Sequence, residues 1–445
     1  MRQARRALAW PLGALLFLAA RAASAEPARG VTGAPEGATS APTDGGRGAS
    51  AKAGGPAEPC GPRLAVEDGA AGEAGGASAA KATGVTSTAG ATGGASAAGG
   101  ADTAGAAGGA APCPARSPWA VGAAVVPGLL VHGAGHYVAG NKRTAGRLLA
   151  LEAAGIGAVG GGLVTLALTG ASRRLVAPVA TFTIAGVGLF AISTLADLYG
   201  VLAPPGGTGE PLRVAPRFAA ELGLRHVYDP VFPYGAFSYQ ALEVRLGGLR
   251  LSQSGWHSLN EHRNRRLRFE GAWRFVGPRP EGGERASDGS FLDVEAAFTD
   301  HDYGSDGFGV TTGEASLRGR LDLGRVGPTL AGSFAEFGAG LALASNRYDR
   351  HTDEGDDLLL GGFAFGAYFG RRADRWGEAK IYYDHRHDGF AAGLKMRGLG
   401  SGVPGHFGAR ALFFFDRSWG AQAEVEAGSA YVTGLSVLYR YGVSR

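Results

Sequence analysis

Residues 431–443, Tyr-Val-Thr-Gly-Leu-Ser-Val-Leu-Tyr-Arg-Tyr-Gly-Val, decide how the C-terminal half folds. Side chains alternate across a strand, so Tyr431, Thr433, Leu435, Val437, Tyr439, Tyr441 and Val443 share one face. That face is apolar and aromatic. The other carries Val432, Gly434, Ser436, Leu438, Arg440, Gly442 and Ser444, which are mostly small or polar. The same period of two runs upstream: Leu292, Val294, Ala296 and Phe298 oppose Asp293, Glu295, Ala297 and Thr299. Leu267, Phe269, Gly271, Trp273 and Phe275 oppose Arg268, Glu270, Ala272 and Arg274. Comparable runs near 217–228, 239–251, 310–323, 329–345, 358–370, 376–384, 389–397, 407–415 and 419–427 bring the total to about twelve strands.

Alternation fits a soluble β-sandwich as well as a membrane barrel, because period alone does not say which face meets solvent. Four further features favour the barrel. An export signal opens the chain, the strand number is even, aromatics such as Trp376, Trp419, Tyr431 and Tyr441 sit near strand ends, and both signs of charge line the polar faces. The fold expected over 211–445 is therefore an antiparallel membrane β-barrel, its apolar face against hydrocarbon and its lumen wet. In this pattern the C-terminal half resembles bacterial outer-membrane β-barrel proteins of the porin-like kind. The resemblance implies insertion by the barrel-assembly machinery and passage of small solutes. The chain departs from that family at its end, where Gly442-Val443-Ser444-Arg445 replaces the usual terminal aromatic. Long connections near 252–264, 277–289 and 346–357 also fail to fall on one rim.

Upstream of the strands, composition divides the chain sharply. Residues 1–25 place Arg2, Arg5 and Arg6 before the apolar run Ala7–Ala20 and then Ala23-Ser24-Ala25, the order of a secretory signal peptide. Residues 26–117 are nearly all Ala, Gly, Ser, Thr and Pro. With one leucine, Leu64, and no aromatic, they cannot offset roughly 1–2 kcal/mol per residue of backbone ordering. A disordered tether is expected there. It holds both cysteines, Cys60 and Cys113, too few for a disulfide framework or a four-cysteine zinc site. Across the chain, 78 of 445 residues are glycine and the net charge is only +4, which argues against a nucleic-acid partner.

Residues 118–204 turn apolar, with stretches at 148–170 and 175–202 long enough to span a bilayer and Arg173-Arg174 between them. A helical hairpin is expected, with Gly157 and Gly161 as a small-residue pair and Gly155, Gly160, Gly186 and Gly188 letting backbones approach. The phrase Pro127-Gly128 followed by His132-Gly133-Ala134-Gly135-His136-Tyr137 and Gly140 resembles the opening of small bacterial membrane-hairpin modules. Glu152 and Asp197 lie near helix ends and are expected to snorkel to an interface. Such a hairpin would normally arrest in the inner membrane, so an alternative is an inner-membrane anchor carrying a periplasmic β-domain that acts as an interaction module.

The main functional expectation is a non-enzymatic outer-membrane barrel, pore-like or structural, needing no cofactor and no metal. The enzymatic alternative is a lipid acyl hydrolase. For it, Ser401 supplies the nucleophile, His385 or His387 the base, and Asp384 or Asp388 the orienting acid. Membrane lipid is the expected partner. Arg263, Arg265 and Arg266, in Glu-His-Arg-Asn-Arg-Arg, are the candidates for lipid headgroups or lipopolysaccharide phosphates.

Overall fold

The computed structural model describes residues 117–443 apart from 171, 233, 261–262, 281–287, 305–306, 349–350, 353–354, 373, 397–399 and 402–403. The side chains at 173, 351–352, 395–396 and 400–401 also lie outside the description, as do the expected signal peptide and tether. Among the described residues four α-helices come first: α1 (Pro118–Val125), α2 (Ala134–Val138), α3 (Lys142–Thr169) and α4 (Arg173–Leu202). Strands follow as β1 (Phe218–Tyr228), β2 (Gly235–Leu246), β3 (Leu249–Ser258), β4 (Arg265–Val276), β5 (Phe291–Asp302) and β6 (Gly309–Asp322). The second half adds β7 (Ser333–Tyr348), β8 (Asp356–Arg372), β9 (Arg375–Asp384), β10 (His406–Phe414), β11 (Trp419–Ala427) and β12 (Tyr431–Tyr441).

Every neighbouring pair is antiparallel, and β1 pairs with β12 from Phe218↔Tyr441 to Tyr228↔Tyr431, so the sheet closes on itself. Closure leaves no strand edge, which a bilayer demands because it offers no water to an unpaired backbone group. Both ends of the barrel lie on one rim, called here the end rim. The β2–β3 turn there is only Gly247-Gly248, with Gly247 at φ +60°, a conformation most side chains disfavour. The β4–β5 connection leaves and rejoins the sheet at the same rim, while the β7–β8 and β9–β10 connections leave and rejoin it at the far rim.

The apolar face points outward. Leu435 is 70% exposed and Leu222 67%, and Leu242, Phe269, Trp273, Phe298, Leu343, Ile381, Phe413 and Val437 are exposed in the same way around the barrel. Each such side chain left in water forgoes roughly 2 kcal/mol of burial. A ring of them is intelligible only against hydrocarbon.

Twelve strands were expected and twelve form, yet two positions differ. Residues 389–394 form no barrel strand, Lys395–Met396 pairs only with Gly400–Ser401, and Phe390 is buried beneath the far rim. Conversely, β3 occupies residues expected to be a connection. Its outward positions Gln253, Gly255 and His257 are not apolar, so the alternation that marks lipid contact fades toward the far rim.

The hairpin of α3 and α4 lies against the outside of this barrel. Leu148 of α3 with Ile192 and Ala196 of α4 pack on Ala335 and Phe337 of β7 and Phe363 and Phe365 of β8, all outward-facing. The two helices meet at Gly155, Gly162 and Gly186, whereas Gly157, Gly160 and Gly161 face open space. The expected pair at 157 and 161 is thus off the seam, because the contact follows the seven-residue spacing of Gly155 and Gly162. A Cβ at Gly186 would sit 2.8 Å from the Gly155 carbonyl oxygen. Gly186→Val is expected to cost about 1–3 kcal/mol of hairpin stability, while Gly157→Ala should be neutral or mildly stabilising. Thermal loss of the helical circular-dichroism signal checks both.

Candidate functional site

The lumen is where strand alternation collects the polar residues, and they form three tiers. At the end rim, Phe334, Tyr368, Trp376, Phe414 and Leu438 make a buried layer, joined by Leu212 from the linker that leads into β1. The Arg440 guanidinium lies 3.6 Å from the centre of the Phe414 ring. The linker itself is bound here: Thr208 Oγ1 donates to the Tyr368 carbonyl at 2.7 Å, and Trp376 Nε1 to the Glu210 carbonyl at 2.9 Å.

The middle tier is a lattice of ion pairs. Glu336 accepts from Lys380 at 2.8 Å, Arg320 at 2.5 Å and Arg318 at 3.2 Å, and Arg320 also reaches Glu378 at 2.8 Å. Arg250 bridges Glu270 and Glu295, each at 2.6 Å, while Arg225 joins Glu221 and Glu424 at 2.9 Å. Most of these side chains are largely buried, where an unpaired charge is costly, and pairing across strands offsets that cost.

The third tier lies under the far rim and is built by the segment after β9. His385 N–H donates to the Gly361 carbonyl at 2.7 Å, and then the chain turns inward. Arg386 donates both amino groups to Glu314 of β6, at 2.8 and 2.6 Å, and Arg268 of β4 grips the same carboxylate. Asp388 lies 3.9 Å from Arg266. Phe390 is wedged between Phe237, Trp256 and His301, with ring centroids 4.8–5.0 Å away. Finally Ala391 offers its carbonyl to Ser429 and Ala430 in the β11–β12 turn. The segment therefore reaches across the mouth from β9 to β2 and β3 on the opposite wall and returns to the β11–β12 turn. Beneath it is a cavity of about 270 Å³ lined by Ser254, Trp256, Arg266, Arg268, Asp384 and Arg386.

The residues nominated for catalysis are placed otherwise. Asp384 caps the Arg386 N–H at 3.0 Å, His385 Nδ1 faces the Tyr383 hydroxyl at 2.9 Å, and the His385 and His387 rings lie 4.8 Å apart. Among the described residues neither imidazole has a carboxylate within ion-pair distance, and the Ser401 side chain lies outside the description. Asp388 serves arginines instead. Of the headgroup candidates, Arg263 is exposed at the far rim and Arg265 points outward, 4.0 Å from Asp302. Arg266 points into the lumen, since adjacent strand residues must face opposite sides.

A second polar cluster lies in the helical region, where snorkelling was expected. Glu152 and Asp197 are buried instead. Glu152 accepts the His132 N–H at 2.8 Å, and Asp197 accepts the Gly135 and His136 N–H groups at 3.1 and 3.0 Å. His132 Nδ1 meets Ser193 Oγ at 2.6 Å and its Nε2 meets Thr194 Oγ1 at 2.7 Å. His136 Nδ1 lies 2.6 Å from Asp197, and its Nε2 lies 2.9 Å from Thr329 Oγ1 in the β6–β7 connection. The order acid, imidazole, hydroxyl resembles a nucleophile relay, but His136 and Asp197 are 0% exposed and Gly200 packs directly on the imidazole. The cluster fastens α2 to α4 and both to the barrel.

The closed ring, the outward apolar belt and the paired charges within settle the architecture. The chain folds as a closed, twelve-stranded antiparallel barrel with an apolar outer wall. No family model matches it, and no curated protein matches it. Solved structures with a similar barrel include the KdgM porin in complex with disordered oligogalacturonate, at 8% identity, covering 50% of this chain and 99% of that one, with a TM-score of 0.31. Omp33 of Acinetobacter baumannii follows at 8% identity, 52% and 100% coverage and TM-score 0.26. The β-domain of the Bordetella autotransporter BrkA gives 17%, 51%, 99% and 0.29. At these identities the likenesses concern the fold alone.

The lumenal residues Arg268, Glu314, Arg320, Glu336, Glu378 and Lys380 were not singled out from sequence. Their signal was present as charges of both signs on polar strand faces. Which charge meets which depends on register across strands and was not legible.

Proposed function

We propose that the protein is a non-enzymatic, structural barrel of the bacterial outer membrane, sealed in its resting state, that holds a helical hairpin and cap against its lipid-facing wall. The observation that supports this reading is the chain's own passage through both mouths. Leu212 joins the aromatic layer at the end rim, and the 385–394 segment is clamped to Glu314 at the other. A pore for continuous diffusion needs neither. The end rim, with the two-residue turn at 247–248, suits the periplasmic side, which places Arg263 and Arg265 where lipopolysaccharide phosphates lie. Insertion then falls to the barrel-assembly machinery.

The purified protein reconstituted in planar bilayers at neutral pH tests the reading. Silence is the expected result, and a steady conductance of open-pore size overturns it.

The far seal should also weaken in acid. Burial, then the neighbouring His387, holds His385 below the ordinary histidine value of 6.5, and burial with His406 does the same for His387; Asp384 and Asp388 oppose this in part. The closed segment therefore binds fewer protons than the released one. Closure is fully favoured above pH 6.5 and loses ground as pH falls below it. Trypsin cleavage after Arg386 in the reconstituted protein should rise over that interval.

A further inference from the structure

Residues 117–143 form a cap that the sealed lumen does not use. One side of it is buried: Ala120, Ala124, His132 and His136 face the hairpin, and Gly135 approaches Val201 near the end of α4. The other side is bare. Trp119 is 80% exposed, Leu130 79% and Val126 74%, and Leu129, Val131 and Tyr137 are exposed beside them. Nothing in this short, broken stretch is long enough to cross a bilayer, since α1 has 8 residues and α2 has 5.

Two observations say what covers the bare face. It continues the exposed apolar flanks of α3 and α4 at the end of the hairpin that meets the end rim, so it lies level with the edge of the lipid belt. Its charge is also one-sided: no Asp or Glu occurs from 117 to 151, whereas Lys142 and Arg143 are exposed, with Lys142 Nζ 5.8 Å from the Tyr137 ring. Tryptophan and tyrosine beside basic residues at the end of a hydrophobic element match the headgroup layer, apolar on one side and anionic on the other.

We infer that residues 119–143 are an interfacial anchor that lies in the headgroup layer at the end rim and recognises anionic phospholipid. The inference rests on the membrane reading of the barrel. It places headgroup recognition at the opposite rim from Arg263 and Arg265.

The test uses the full chain in phosphatidylcholine vesicles, with or without phosphatidylglycerol, containing lipids brominated just below the headgroup. Comparison with Trp119→Phe isolates the Trp119 contribution. That contribution should be quenched, more strongly with phosphatidylglycerol, and Lys142→Ala with Arg143→Ala should abolish the increase. Trp273 and Trp419, on the outer wall of the barrel, report insertion independently. If they are quenched and Trp119 is not, the anchor is overturned. Quenching of Trp119 indifferent to phosphatidylglycerol overturns the headgroup preference. If none is quenched, the membrane reading fails and the anchor fails with it.

Discussion

Glu314→Gln should release the segment that crosses the far mouth. The carboxylate is nearly buried and is held by Arg386 from the segment and Arg268 from β4. An amide of the same shape removes their shared counter-charge and leaves Arg268 with Glu270 at 3.3 Å and Arg386 with Asp388 at 3.5 Å, so the loss falls at the lower end of the about 3–5 kcal/mol that breaking a buried pair costs. Taking the lower figure, the ratio of closed to released segment falls about a hundred-fold. Trypsin should then cut after Arg386 at neutral pH in the variant and not in the parent. With the seal at the end rim intact, bilayers should stay silent. Adding Trp376→Ala, which thins the aromatic layer, should bring conductance. Two seals in series require both to open, so conductance from Glu314→Gln alone would show that the end rim is not closed.

Asp197→Ala is expected to undock the cap while leaving the barrel closed. One carboxylate accepts the Gly135 and His136 N–H groups and faces the His136 ring, and both Asp197 and His136 are fully buried. Alanine strands those donors. The expected loss is about 3–5 kcal/mol, more than a five-residue helix such as α2 can supply by itself. Chymotrypsin should then cleave at Trp119 and Tyr137, while heat-modifiable migration of the barrel persists. Asp197→Asn retains one oxygen for the backbone donors and should show an intermediate effect. An unchanged digestion pattern in Asp197→Ala would remove the cluster as the fastening.

How much was legible in advance differs from element to element. Strands with an apolar outward face, such as β12 and β5, announce themselves because hydrocarbon contact forces every second residue to be apolar. The outer part of β3 does not, since Gln253, Gly255 and His257 face outward near a rim where lipid contact ends. The segment 389–397 alternates for another reason, as Phe390 is buried among lumenal aromatics. His385 and His387 drew attention because two imidazoles beside two aspartates suit acid–base chemistry. Their aspartates are committed to Arg386 and Arg266 instead. His132 and His136 sit four apart, yet each has its own acid from a different helix, Glu152 and Asp197, and that pairing exists only once α2, α3 and α4 pack.

The sequence by itself determined the period: two after residue 217, helical between 142 and 202, and none before 117. Period is a local property, set by whether consecutive side chains meet apolar or polar surroundings. Which side of the ribbons faces outward, which lumenal charges pair, which glycines form the helix seam and what crosses the two mouths were decided only when the sheet closed. Each of these joins residues tens to hundreds of positions apart, and their free energy depends on distances that no stretch of sequence contains.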